Sequence, residues 1–344
     1  MPIRYHKKST LLLAKTQTTE GTPVTPAGTD ALALFEGGFQ PEISSETFQF
    51  TGSEEDRSEG VTITDRYASA NGDFFLPALG TVTTGQVATV ANFPYAKLFE
   101  ACGFTVTYGA GTGTAATVTV SNATNAGKLL TLDWLEESPS DPTNQNLYRL
   151  YDCRGIMDLD IMAGSRARLK VNFKGNTYDA LAGHVNDYPL VQNPKLTPSY
   201  GTQKEVLLPA VRQAQVTTME LQEVGTAFTN TSNFGFAKLS IPNVSGRENG
   251  RVLDLESEGF DTAAVASDIT LTMTSPKADA TFVPEKMLEK FYKMQFAFGT
   301  TVGRRCKITL DQLQCMGVSN DTVGNYKGKA ITFRNTGSVV MVFY

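Results

Sequence analysis

The clearest alternation of apolar and polar positions lies in LYDCRGIMDLDIMAGSRARLKVNFK, Leu150 to Lys174. Met157, Leu159 and Ile161 alternate with Asp158 and Asp160. After Gly164, Ala167, Leu169, Val171 and Phe173 take one face and Arg166, Arg168, Lys170 and Lys174 the other. A period of two belongs to a half-buried strand. A three-residue loop at Ala163, Gly164 and Ser165 sets Leu159 opposite Leu169, Asp160 opposite Arg168 and Asp158 opposite Lys170. A slip of one residue would send both apolar sets to water, so the register is strongly specified. Burying a Leu or Phe contributes about 1.5–3 kcal/mol, against roughly 0.2–1 kcal/mol for a cross-strand ion pair. The apolar alternation therefore decides this hairpin, and the charges refine it.

The same reading predicts short strands at Ala31–Phe35, Ile43–Phe50, Val61–Thr64, Gly72–Leu76 and Leu129–Leu135, with an acidic loop from Gly52 to Gly60 and a loop from Glu136 to Asn146. Pro94 and Gly103 bracket a short helix that can pack Leu98, Phe99 and Cys102. Three prolines between Tyr188 and Gly201 remove backbone donors and mark a domain boundary. Beyond it, strands are expected at Phe236–Ile241, Val252–Leu255, Asp268–Thr274, Arg305–Leu310, Gly328–Arg334 and Val339–Tyr344. Val283 to Phe291, with Pro284 at the first helical position, repeats the earlier helix. The second half thus reads as a diverged copy of the first. The fold class expected is mainly β, in two tandem modules, 31–190 (with a Thr/Gly-rich insertion at 104–129) and 191–344, preceded by an N-terminal arm, 1–30. That arm, rich in Thr, Gly and Pro, is expected to be mobile or to order against a partner.

Composition narrows the function classes. The chain has 344 residues, long enough for two cores, and a net charge of −5. An acidic chain does not hold nucleic acid by its phosphates, though nucleic acid could slide past it. Cys102, Cys153, Cys306 and Cys315 show no CxxC spacing and read as buried free thiols. The apolar run Leu11–Leu13 is too short for a signal peptide or a membrane span, so a soluble protein made in the cytoplasm is expected.

Little in the chain suggests catalysis. His6 and His184 have no companion ligands at metal spacing, and no GxSxG elbow is present. Gly109–Gly113 precedes a Thr/Val strand instead of a helix and lacks the following Lys, so it reads as a turn. Glu54, Glu55, Asp56 and Glu59 fit no EF-hand spacing. No enzyme, cofactor or metal is expected.

Three stretches carry a family resemblance: LLLAKTQTTEGTPVTPAGTDAL (Leu11–Leu32), RLYDCRGIMDLDIMAGSRARLKVNFKGNTYD (Arg149–Asp179), with its Asn172-Phe173-Lys174-Gly175 turn, and Met219–Ala278. Together they resemble the major tail tube proteins of long, non-contractile-tailed bacteriophages, in the duplicated form. The resemblance implies β-sandwich or partial-barrel domains, each with a short flanking α-helix. It implies trimeric, pseudo-hexameric rings that stack into a tube through which DNA passes. Partners implied are other copies of the chain and the tape measure, tail terminator and distal tail proteins, in a virion assembled in the bacterial cytoplasm, with no membrane. On this reading Asp158, Asp160, Arg166, Arg168, Lys170 and Lys174 belong to a hairpin lining or flanking the lumen, as does the stretch of about Arg304–Arg334. Thr16, Thr18, Thr19 and Glu20 belong to an inter-ring arm. A tail terminator or baseplate ring protein is the alternative within virions, and a carbohydrate-binding β-sandwich the alternative outside them.

Overall fold

The computed structural model describes residues 10–34, 36–49, 59–77, 79, 87–109, 116–122, 127–137, 143–162, 165–178, 191–198, 216–225, 236–244, 247–253, 258–264, 268–274, 287–288, 290–299, 302–323 and 325–344. It is mainly β. In the first half the strands are β1 (Thr10–Thr16), β2 (Ala31–Leu32), β3 (Glu36–Gln49), β4 (Glu59–Phe75), β5 (Phe104–Gly109), β6 (Thr117–Asn122), β7 (Leu130–Glu137), β8 (Asn144–Met162), β9 (Arg168–Tyr178) and β10 (Val191–Pro194). The second half adds β11 (Val216–Glu223), β12 (Phe236–Ile241), β13 (Arg247–Leu253), β14 (Glu258–Ala264), β15 (Asp268–Thr274), β16 (Phe291–Phe298), β17 (Cys306–Val323), β18 (Tyr326–Asn335) and β19 (Val339–Phe343).

The described ladders are antiparallel, and apart from β1·β2 and the separate two-stranded sheet β13·β14 most of them fall into two matching series. The first half pairs β1 with β7, β7 with β8, β8 with β9 and β10, β9 with β4 and β4 with β3. The second pairs β11 with β16, β16 with β17, β17 with β18 and β19, β18 with β15 and β15 with β12. Each ladder of one series has a counterpart in the other, and a register shift falls at the same place in β7·β8 and β16·β17. The series join directly: the end of β8 pairs with β12, and the insertion hairpin β5·β6 pairs through β6 with β19.

The halves also share a core. Trp134, Leu150 and Phe173 of the first belong to one buried apolar cluster with Leu239, Phe296, Phe333 and Phe343 of the second. A smaller cluster, Leu11, Leu13, Ala31, Leu135 and Leu147, lies apart from it. Residues Leu130 to Leu135 are consequently buried without interruption, although Thr131 and Asp133 alternate with Leu130, Leu132 and Trp134 in the sequence: both faces of this strand are covered, the polar one included.

The expected hairpin is present in the expected register: Asp158 opposite Lys170, Leu159 opposite Leu169, Asp160 opposite Arg168. Several other expectations are corrected. Val61–Thr64 and Gly72–Phe75 are parts of one long strand, β4, which also takes in Glu59 and Gly60 of the expected acidic loop. The Glu136–Asn146 loop is shorter, because β7 runs through Glu137 and β8 starts at Asn144. The first helix forms at Ala96–Ala101 (α1), closed by Gly103 in the left-handed region at φ 84°. Its counterpart does not reach Phe291, which opens β16. There Tyr292, Met294, Phe296 and Phe298 are buried on one face, so a period of two wins. Residues 283–286 and 289 of that expected helix lie outside the described residues, among which α1 is the only α-helix. Thr10–Thr16 of the expected arm is a strand inside the sheet, with Leu11 to Ala14 buried between β2 and β7.

Candidate functional site

Two places concentrate polar chemistry: the charged face of β8 and β9, and a buried polar cluster where the N-terminal segment crosses β8. On the charged face, the pairs read from the sequence are adjacent in the ladder, but the ion pair is diagonal. Lys170 Nζ donates to Asp160 Oδ2 at 2.7 Å, and Ser240 Oγ of β12 donates to Asp160 Oδ1 at 2.9 Å. The Asp158 carboxylate accepts the Asn243 N–H at 2.6 Å. The carboxylates thus fasten β12 and the turn after it as much as they balance β9. Arg166 lies over the Phe75 ring at 5.0 Å and Lys174 over Tyr67 at 5.8 Å, while Arg168 and Lys170 are exposed. Burial pushes the Asp160 carboxyl up, but hydrogen bonds from Lys170 and Ser240 outweigh it and the net shift is downward. Lys170 is raised, chiefly by its bond to Asp160. Across the sheet, Asp73 stands opposite Lys170 and is raised by burial, against the pull of Lys170 and Arg168.

The polar cluster forms where β8 breaks its ladder between Tyr151 and Arg154. Asp152 sits there at φ 52°, almost fully buried. Its carboxylate accepts the Gly21 N–H at 3.0 Å and a short hydrogen bond from Gln17 Nε2, and its own N–H donates to Gln17 Oε1 at 3.0 Å. Asn176 Nδ2 approaches it from β9, and Thr131 Oγ1 donates to Gln17 Oε1 at 3.2 Å. Burial raises the Asp152 pKa, and the bonds from Gly21 and Gln17 limit the rise. Of the arm candidates, Thr16 ends β1 opposite Leu130, whereas Thr18, Thr19 and Glu20 are exposed in the turn that this cluster pins. Near it, Arg149 grips Asp133 through two hydrogen bonds of 2.6 and 2.7 Å, both side chains buried.

Gln17, Asp133, Arg149, Asp152 and Asn176 were not singled out by the sequence pattern. The available signal was the odd spacing of apolar Leu150 and Cys153, which the bulge between them sets on one face, opposite Leu132 and Leu130. The four cysteines are free and buried, and burial pushes their thiols up. Among the described residues no group of three or more His, Cys, Asp or Glu could hold a metal ion. His6, His184, Glu54, Glu55 and Asp56 lie outside the described residues. No described helix is long and apolar enough to cross a membrane. In comparison with known proteins, no family model matches the chain, and no curated protein matches it.

Proposed function

We propose that the chain is a structural protein of a phage tail: two tandem tail-tube-type modules that polymerise as stacked, trimeric, pseudo-hexameric rings into a tube through which DNA passes. The observation that carries the reading is the matched series of ladders. A β8·β12 junction joins one module to the next edge to edge, while among the described residues the outer ends of the series, β3 and the far end of β17, pair on one side only, with β4 and β18. Long sheet edges invite pairing with another chain, and closing a sheet on itself removes them. A head-to-tail contact repeated around an axis gives a ring. The net charge of −5 suits a wall that repels phosphate, so that DNA slides instead of sticking.

The turn at Thr18–Glu20 and the end of the β3·β4 ladder towards Gln49 and Glu59 are the segments this reading assigns to contacts between rings. The ladder of β4 with β9 stops at Tyr67, while β3·β4 continues to Gln49 and Glu59. A bare two-stranded ribbon is marginal in water and gains from a neighbour. Negative-stain microscopy of the concentrated recombinant protein tests the proposal. Regular striated tubes or stacked rings are expected; solitary particles without a bore, at every concentration tried, would refute it.

A further inference from the structure

From the internal junction we infer the external one: residues Asn320–Val323 at the end of β17 pair antiparallel with Glu36–Phe39 at the start of β3 in a second copy of this chain. The inference rests on the ring-forming reading and adds its contact and register.

The ladders supply the correspondence. Lys174 and Phe173 of β9 occupy the places of Arg334 and Phe333 in β18, since they pair with Arg154 and Gly155 in β8 as those do with Gln314 and Cys315 in β17. On the other side, Ser69 pairs with Lys174 as Asp268 does with Arg334, and Asp73 with Lys170 as Thr272 does with Ala330. That ladder aligns β4 with β15. Counting along it from Ser69 and Asp268 puts Gly72 with Leu271 and Asn71 with Thr270. Gly37 and Gly38, which pair with Gly72 and Asn71, therefore take the places of Leu239 and Ser240, which pair with Leu271 and Thr270. In the long hairpins, Asp160 pairs with Arg168 as Asp321 does with Gly328, so the two aspartates are equivalent.

Inside the chain Ser240 pairs with Asp160, Ile241 with Leu159 and Leu239 with Ile161. The same junction one module further on sets Gly38 against Asp321, Phe39 against Asn320 and Gly37 against Thr322. The slot on β17 is open: β16 reaches no further than Gln314, and among the described residues no ladder lies on that side beyond it. Met316 there is 47% exposed, and Asn320 and Thr322 are exposed, whereas their counterparts Leu159 and Ile161 are fully buried. Asp321 Oδ1 meanwhile accepts the Thr322 N–H at 2.7 Å, a local cap on an open edge. The partner strand matches in detail. Asn243, which donates its N–H to Asp158, has Pro41 as its counterpart, and Pro41 has no N–H to donate; Asp158 is matched by Ser319. With Gly37, Asn320 and Thr322 in place of Leu239, Leu159 and Ile161, the external junction buries less apolar surface than the internal one. It suits a contact that forms on assembly.

Paired cysteines test it. At Gly38 an added β-carbon meets only the Asn71 amide at 3.4 Å, and directly opposed β-carbons lie about 5 Å apart. The Gly38→Cys/Asp321→Cys variant, concentrated and treated with oxidant or a short thiol cross-linker, is expected to shift on a non-reducing gel to multiples of the chain mass. The Gly38→Cys/Asn320→Cys variant, one residue out of register, is expected to remain at the monomer position. Equal cross-linking of both overturns the register. Rings or tubes by negative stain with no cross-linked multimers overturn the junction but leave the ring reading standing. Absence of any oligomer by stain and gel overturns both.

Discussion

Asp152 holds a left-handed backbone that non-glycine residues tolerate poorly, Asp and Asn best among them, and its carboxylate meets the donors of Gln17 and Gly21. Asp152→Ala should therefore cost about 2–3 kcal/mol, from lost hydrogen bonds and backbone strain. Asp152→Asn keeps an acceptor and should cost under about 1 kcal/mol; urea unfolding separates the two. The folded pKa of Asp152 is raised, so the protein binds this proton more tightly folded than unfolded. Its contribution favours folding at low pH and is lost as pH rises through the folded value. The Ala variant should therefore lack that part of the pH dependence. Arg149 and Asp133 pose the opposite case, a charge pair already satisfied. Arg149→Met strands the buried Asp133 carboxylate and should cost about 3–5 kcal/mol, whereas Arg149→Met with Asp133→Leu should recover most of it, measured as a double-mutant cycle.

Among the elements, β8 carries most of the organisation. Its first part packs between β7 and β10, its middle against β9, and its end between β9 and β12. The Asp160 carboxylate, bonded by Lys170 and Ser240, ties β9 and β12 to it. Because that carboxyl is held below its ordinary 3.8, its contribution is present above that value and is lost as pH falls through the lower, folded pKa. Asp160→Asn should lower stability by about 0.5–1 kcal/mol at pH 7, since Lys170 is partly solvated, and the deficit should vanish once pH has fallen below the lowered, folded pKa. Hydrogen exchange should report the loss locally, as faster exchange in β12.

At the scale of the whole molecule, β19 and the β5·β6 hairpin lock the end of the chain to its first half. Phe343 is fully buried, its ring 4.7 Å from that of Phe93 and 6.1 Å from that of Phe99, which α1 supplies. Phe343→Ala should cost about 3–5 kcal/mol. Because the apolar cluster spans both halves, unfolding should remain a single transition in the wild type, with Trp134 fluorescence and far-UV circular dichroism coinciding. Two separated transitions would show that the halves are energetically independent.

Much of this was legible in the chain before any coordinates. Alternation determined the extents of β12 and β15 and the inward face of β17, and together with a short loop at Gly164 it determined the Asp158–Lys170 register, because a period of two excludes every odd slip when one face is apolar and the loop length selects among the rest. Local pattern places a strand at Leu129–Leu135 but does not decide whether it has one or two covered faces, so the burial of both faces of β7 and the incorporation of β1 came only from the assembled sheet. The bulge at Asp152 and the pairing of Arg149 with Asp133 likewise depend on which strands become neighbours. Pairings such as β8·β12 and β6·β19 join residues far apart in sequence, and no local periodicity encodes them. They exist because edges must be paired and apolar faces covered, a condition met by the whole chain at once and by no single segment.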